Sequence, residues 1–150
     1  MLARLRLLLE LIRFSHTIFA LPFALLSAVL AWRGQTVRWQ ELVGILLCML
    51  FARSAAMAFN RLIDRDIDAA NPRTQGRHLA AGGMSLQTAW SLAAVFLAML
   101  LISAGLLNRV ALMMAWLPVL TFVIYPYMKR FTWGCHFWLG LCLGLAPAGA

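Results

Sequence analysis

The chain has 150 residues, of which 63% are apolar and only 12% charged, with a mean hydropathy of +0.84. So little polar surface excludes a water-soluble domain of this size. The formal net charge of +8 does not indicate nucleic acid as a partner, because no basic run interleaved with aromatics lies outside the apolar blocks.

The apolar residues fall in five blocks, 14–32, 42–59, 86–107, 110–128 and 133–150. Each approaches the run of about 20 residues that a helix needs to cross a bilayer. The first is too long, and too much part of a multi-span pattern, to be only a cleaved signal peptide. Trp32, Trp39, Tyr127 and Trp133 stand near block ends, where interfacial aromatics belong. The connections 33–41, 108–109 and 129–132 are short, so consecutive helices should be antiparallel neighbours. The expected fold is an all-α, polytopic transmembrane bundle with about five spans and the lipid bilayer as its surroundings. Because the last block is still apolar at Ala150, the expectation is a fragment of a longer protein.

Charge placement orients the bundle. Arg4, Arg6, Arg13, Arg61, Arg65, Arg73, Arg77, Lys129 and Arg130 fall on the side of the N-terminus, against Arg33, Arg38 and Arg109 on the other. The positive-inside rule then puts the N-terminus and the 60–85 loop in the cytoplasm of a protein of the inner (plasma) membrane.

That loop, NRLIDRDIDAANPRTQGRHLAAGGMS, is the one long polar excursion. It begins as the continuation of a helix and should break at Asn71-Pro72, because proline disfavours helix in the residue before it. Gly82-Gly83 reads as a turn rather than a phosphate cradle, since no strand or G-x-G-x-x-G accompanies it. Cys48, Cys135 and Cys142 lie in apolar blocks without a zinc-type spacing and read as small buried apolar residues. Of the histidines, His16 shares a face with Arg13, His78 reads as solvated and His136 as interfacial.

All three aspartates, Asp64, Asp66 and Asp68, lie within five residues, and the two glutamates, Glu10 and Glu41, are far away. At about 100° per residue, Asn60, Asp64 and Asp68 follow one another within an arc of about 80°, roughly 6 Å per step. They form a ladder of oxygen ligands on one face, while Asp66 points away. Two carboxylates four residues apart repel, and a divalent cation such as magnesium, shared with substrate phosphates, removes that cost. The plain alternative is pairing with Arg61, Arg65 and their neighbours on a solvated helix end, the preferred reading for Asp66. Arg53, seven residues before Asn60, projects onto the same face roughly 10 Å deeper. An arginine inside a span faces a polar cavity or a partner, so Arg53 is expected in a polar cavity below the ladder.

Arg53-Ser54-Ala55-Ala56 through Asn60, Asp64 and Asp68, followed by Arg73-Thr74 and Arg77, resembles the first signature of the UbiA superfamily of intramembrane prenyltransferases. Tyr125-Pro126-Tyr127-Met128-Lys129-Arg130-Phe131-Thr132 resembles a second landmark, and the opening SHTIFALPFALL is most similar to the 4-hydroxybenzoate polyprenyltransferase or menaquinone-pathway branch. The match covers nearly the whole chain but only the N-terminal half of a family member, which has about nine spans. The resemblance implies a magnesium-dependent transfer of a polyprenyl group from its diphosphate to an aromatic acid in ubiquinone or menaquinone biosynthesis. It implies Asp64 and Asp68 as catalytic residues, Asn60, Asp64 and Asp68 as metal ligands, and Arg13, Arg53, Arg77, Tyr125, Lys129 and Arg130 as the diphosphate-binding set.

The chain departs from the family pattern in three places. No aspartate follows Asp68, so the second aspartate motif is missing and these 150 residues alone are expected to be catalytically incomplete. Arg61 stands where several relatives carry an aspartate. The loop reads R-H-L-A-A-G where many have prolines, so a looser backbone is expected at His78 and Ala80. The competing readings are a transporter or cation-handling protein, which would place charges at mid-membrane in several helices, and an inactive remnant.

Overall fold

The computed structural model describes residues 14–33, 36 and 38–148, with side chains from 21 to 145. Seven helices follow one another: α1 (Phe14–Ala31), α2 (Trp39–Ile63), α3 (Arg65–Ala70), α4 (Leu86–Leu107), α5 (Arg109–Met114), α6 (Trp116–Phe131) and α7 (Cys135–Ala148). Among the described residues there is no strand. Three stretches, Trp39–Ile63, Leu86–Leu107 and Arg109–Phe131, are long and apolar enough to cross a membrane, and Leu21–Ala31 and Cys135–Leu145 are shorter apolar helices. The chain is a multi-pass helical membrane protein, and the five expected blocks all appear as helix.

The block at 110–128 differs from expectation in being two helices that meet at Ala115. Proline lacks an N–H and its ring crowds the carbonyl four residues back, which for Pro118 is Met114, the last residue of α5. Two helix starts are fixed by side chains. Ser85 Oγ accepts from the Thr88 amide at 3.1 Å and Asn108 Oδ1 from the Ala111 amide at 2.7 Å, which satisfies donors that have no partner within the helix.

Helix α2 is the hub. It packs along α4 and also against α1 and α6, while α7 closes on α1 and α6. The α2–α4 seam is built from small residues. Ala58, Ala89 and Ala93 are buried together with Leu62 and Leu79, and Phe59 meets Trp90 edge-on at 6.1 Å. With lipid on both sides there is little hydrophobic drive to associate, and small residues permit the close backbone approach from which packing energy comes. At the far end, a Cβ on Gly44 would fall 2.7 Å from Leu107 Cγ.

A cavity of about 240 Å³ lies inside this frame, lined by Ile45, Cys48, Arg53, Leu100, Phe122 and Cys142 among others. The three cysteines are free, and Cys142 is buried. Met113 is exposed, and Met114, half exposed, borders the cavity.

Candidate functional site

The oxygen ladder sits where α2 ends. Asn60 is in the last turn of α2, Asp64 joins α2 to α3, and Asp68 lies within α3. The expected uninterrupted helix is therefore broken at Asp64, whose φ of −88° and ψ of 0° leave the helical basin. Aspartate competes poorly in helix interiors, and the exposed Ile63 carbonyl is taken by Arg130 Nη2 at 2.5 Å. The four-residue spacing nevertheless survives. The Asp64 amide donates to the Asn60 carbonyl at 3.0 Å, and the Asp68 amide to the Asp64 carbonyl at 2.8 Å.

Two cation–carboxylate groups form on this ladder. In the first, Lys129 Nζ, from the last turn of α6, donates to Asp64 Oδ2 and to Asn60 Oδ1, the latter at 3.2 Å. Arg130 Nη2 stands 3.9 Å from Asp64 Oδ1. The Lys129 ammonium also lies 5.8 Å from the Tyr125 ring centroid, and the Arg130 guanidinium 5.6 Å from that of Tyr127, both within cation–π range. In the second group, Arg77 Nη1 donates to both Asp68 oxygens at 2.7 Å. Arg61 Nη1 is 3.7 Å from Asp68 Oδ2, and Thr74 Oγ1 donates to the Asp68 carbonyl at 3.0 Å.

Burial separates two of the carboxylates from the third. The Asp64 and Asp68 side chains are 2% and 9% exposed, whereas Asp66 is 97% exposed beside Arg65. The reading of Asp66 as a solvated partner of arginine agrees with this. Asn60, Asp64, Tyr125, Lys129 and Arg130 are brought together across two helices, and Asp68 is joined to Arg77. Arg53 is not part of either group. It is half-buried, its Nε has no hydrogen-bond partner, and it lines the cavity among mostly apolar side chains, which corrects the expected polar cavity. Arg13 and the side chain of His16 lie outside the described residues.

The loop also departs from expectation. Far from loose, it is laced by Arg77 N to the Thr74 carbonyl at 3.0 Å and Ala81 N to the Arg77 carbonyl at 2.8 Å, with Leu79 buried in the α2–α4 core. His78 is half-buried rather than solvated. The break at Asn71-Pro72 and the glycine turn hold as read: α3 stops at Ala70, Asn71 is extended, and Gly82 has a φ of +75°. Sequence reasoning missed Thr74 as a hydrogen-bond donor, while the pairing with Arg61 that stood as the plain alternative is present at Asp68. The seven-residue spacing of Arg61 and Asp68, two helical turns, was the available signal.

The donor set suits a hard divalent cation. Asp64 Oδ1 is buried without a hydrogen-bond partner, and a carboxylate oxygen in that state normally finds a donor or a metal. Asn60 Oδ1 is the neutral oxygen beside it. Among the described residues no three His, Cys, Asp or Glu side chains group closely enough to hold a metal by themselves. Magnesium commonly takes one or two carboxylates and completes its shell with water and substrate phosphates, so the residues present fit it.

An apolar helical bundle with buried carboxylates paired to arginines and a lysine at one end is a multi-pass membrane protein with a charged cluster at that end. Comparison with known proteins makes the class specific. The UbiA prenyltransferase family model matches residues 20–150, and the chain belongs to this family. It is 32% identical over 108 residues to the 4-hydroxybenzoate octaprenyltransferase of Aliivibrio fischeri, covering 72% of this chain and 38% of that one. Against the enzyme of the same name from Actinobacillus pleuropneumoniae the identity is 32% over 139 residues, 91% of this chain and 47% of the relative. The chain thus spans less than half the length of these curated relatives. Among solved structures, a UbiA homolog from Aeropyrum pernix K1 superposes with a TM-score of 0.83 at 38% identity, over 90% of this chain and 48% of that one. A digeranylgeranylglyceryl phosphate synthase shares the fold with a TM-score of 0.87 at 21% identity, over 97% and 51%.

Proposed function

We propose that these residues form the first half of the catalytic domain of a polyprenyltransferase. The whole protein would transfer a polyprenyl group from its diphosphate to an aromatic acid such as 4-hydroxybenzoate, in ubiquinone or menaquinone biosynthesis. The observation that carries the reading is the buried Asp64 carboxylate, with one oxygen lacking a hydrogen-bond partner, at the polar end of an apolar bundle. The names of the relatives, family membership and the signature residues support it.

Magnesium at the Asn60–Asp64–Asp68 ladder would withdraw charge from the diphosphate as a Lewis acid. Lys129, Arg130 and Arg77 offset the remaining charge of the leaving group, and the Tyr125 hydroxyl adds a donor beside them. Their charge favours breakage of the allylic C–O bond, whose electron pair leaves with the diphosphate. A ring carbon of the acceptor then bonds to the allylic carbon and loses its proton. The apolar interior, including the cavity under α2, keeps water from the carbocation and suits a hydrocarbon tail. Arg53, which lines that cavity, and Arg13 complete the proposed diphosphate set. Placement in the inner membrane with the 60–85 loop and N-terminus cytoplasmic rests on the distribution of lysine and arginine.

The test is magnesium-dependent binding of a polyprenyl diphosphate analogue to the detergent-purified chain. Binding that requires magnesium and is lost in Asp64→Ala supports the reading. Binding indifferent to magnesium and to Asp64 overturns it.

A further inference from the structure

The two buried carboxylates of the ladder have different surroundings, and the difference assigns them different tasks. Lys129 Nζ is shared by Asp64 Oδ2 and Asn60 Oδ1. Oxygens from two residues therefore already converge on one cation there, and Asp64 Oδ1 still has no hydrogen-bond partner. Asp68 has neither feature. Both of its oxygens accept from Arg77 Nη1 at 2.7 Å, and the buried Arg61 stands 3.7 Å away. Both carboxylates face two protein cations, Lys129 and Arg130 at Asp64 and Arg77 and Arg61 at Asp68, but only Asp64 keeps an oxygen with no hydrogen bond to give a metal.

We propose that Asp68 is not a metal ligand in this chain but a positioning residue that holds Arg77 and its loop against the diphosphate, leaving the metal to Asn60 and Asp64. The inference rests on the prenyltransferase reading and narrows its three-residue metal ladder to Asn60 and Asp64. Asp68 grips the loop twice, through its carboxylate to Arg77 and through its carbonyl to the Thr74 hydroxyl. Thr74 in turn accepts the Arg77 amide at 3.0 Å, so one residue fixes both ends of the Thr74–Arg77 turn. A guanidinium carries five N–H donors, and Nη1 supplies only two of them to Asp68. The remaining donors, at Nε and Nη2, are carried on a side chain whose direction is set by Asp68. Arg61, in a position where a further carboxylate would have attracted metal, adds positive charge to the same spot.

The experiment measures two affinities on detergent-purified protein. Manganese binding is followed by its electron paramagnetic resonance signal, and diphosphate binding by calorimetry with inorganic diphosphate and with a farnesyl thiodiphosphate analogue. Asp68→Asn should keep manganese affinity within about threefold of the parent while diphosphate affinity falls roughly tenfold, the loss of one charge-assisted hydrogen bond. Arg77→Ala should show the same loss, and the double variant no more than either single one. Asp64→Asn should lose manganese binding. Thr74→Val, which leaves both carboxylates in place, should weaken diphosphate binding alone, and Thr74→Ser should restore it. If Asp68→Asn costs as much manganese affinity as Asp64→Asn while the parent binds normally, Asp68 is a ligand and the inference fails with the prenyltransferase reading intact. If Thr74→Val leaves diphosphate affinity at the parent value, the inference fails as well. A parent that binds neither manganese nor diphosphate overturns both.

Discussion

Lys129 and Asp64 are 65 residues apart in sequence and joined in space by an ammonium–carboxylate contact, with the carboxylate side chain only 2% exposed. This pair ties the end of α6 to the end of α2. It also sets a protein cation on the Asp64 and Asn60 oxygens that the proposed function gives to a metal.

Removing the ammonium should therefore have two opposite effects. Lys129→Met leaves a buried carboxylate without its partner and should lower stability by roughly 3 kcal/mol, measured as reversible unfolding in detergent. The same variant should bind manganese more tightly than the parent, because the competing cation is gone. An unchanged manganese affinity would show that the ammonium and the metal do not share a site.

The exposed aspartate provides the contrast. Asp66 has a 97% exposed side chain and a 4.0 Å contact with Arg65. Asp66→Asn should change stability by less than about 0.5 kcal/mol and leave metal binding alone. A loss comparable to that of Asp64→Asn would contradict the burial-based division of the aspartates.

Arg53 is a stability cost within its cavity, since its Nε has no hydrogen-bond partner among mostly apolar neighbours. Arg53→Met should stabilise the chain by about 1 kcal/mol, the order of an unmade buried hydrogen bond. The same substitution should weaken binding of the polyprenyl diphosphate analogue if the guanidinium serves the substrate. Destabilisation would mean that Arg53 is satisfied in the folded chain.

The α2–α4 seam should be sensitive to bulk at Gly44. A side chain there meets Leu107 Cγ within 2.7 Å, so Gly44→Val should cost about 2 kcal/mol by overpacking. Leu107→Ala should recover most of that loss in the double variant, read by thermal unfolding in detergent. Purely additive losses would place the clash elsewhere.

How much of this was legible in the sequence follows from the range of each signal. Five apolar blocks gave apolar helices, one of them divided at Ala115, because span length and hydropathy are local properties. The ladder was legible from the four-residue spacing of Asn60, Asp64 and Asp68. Its break at Asp64 was not, since the spacing is the same with or without a continuous helix. The signature residues marked Lys129 and Arg77 as cations for a phosphate, but not that they would contact Asp64 and Asp68, which depends on how α6 and the loop fold back. Arg53 was misjudged for a related reason. Helix geometry gave its face, while the character of the cavity is set by Ile45, Leu100 and Phe122, which come from three helices.

The buried position of Leu79 has a consequence for the lifetime of the loop. Proteases cut segments that can leave the surface and lie extended in their clefts, so a loop is protected to the extent that it must open first. Arg73 is exposed and precedes the Thr74 and Leu79 anchors, while Arg77 is held between them. The same arginine-rich stretch should thus present trypsin with one fast site and one slow site. The slow one would act as a clock for how often the loop beside the ladder lifts.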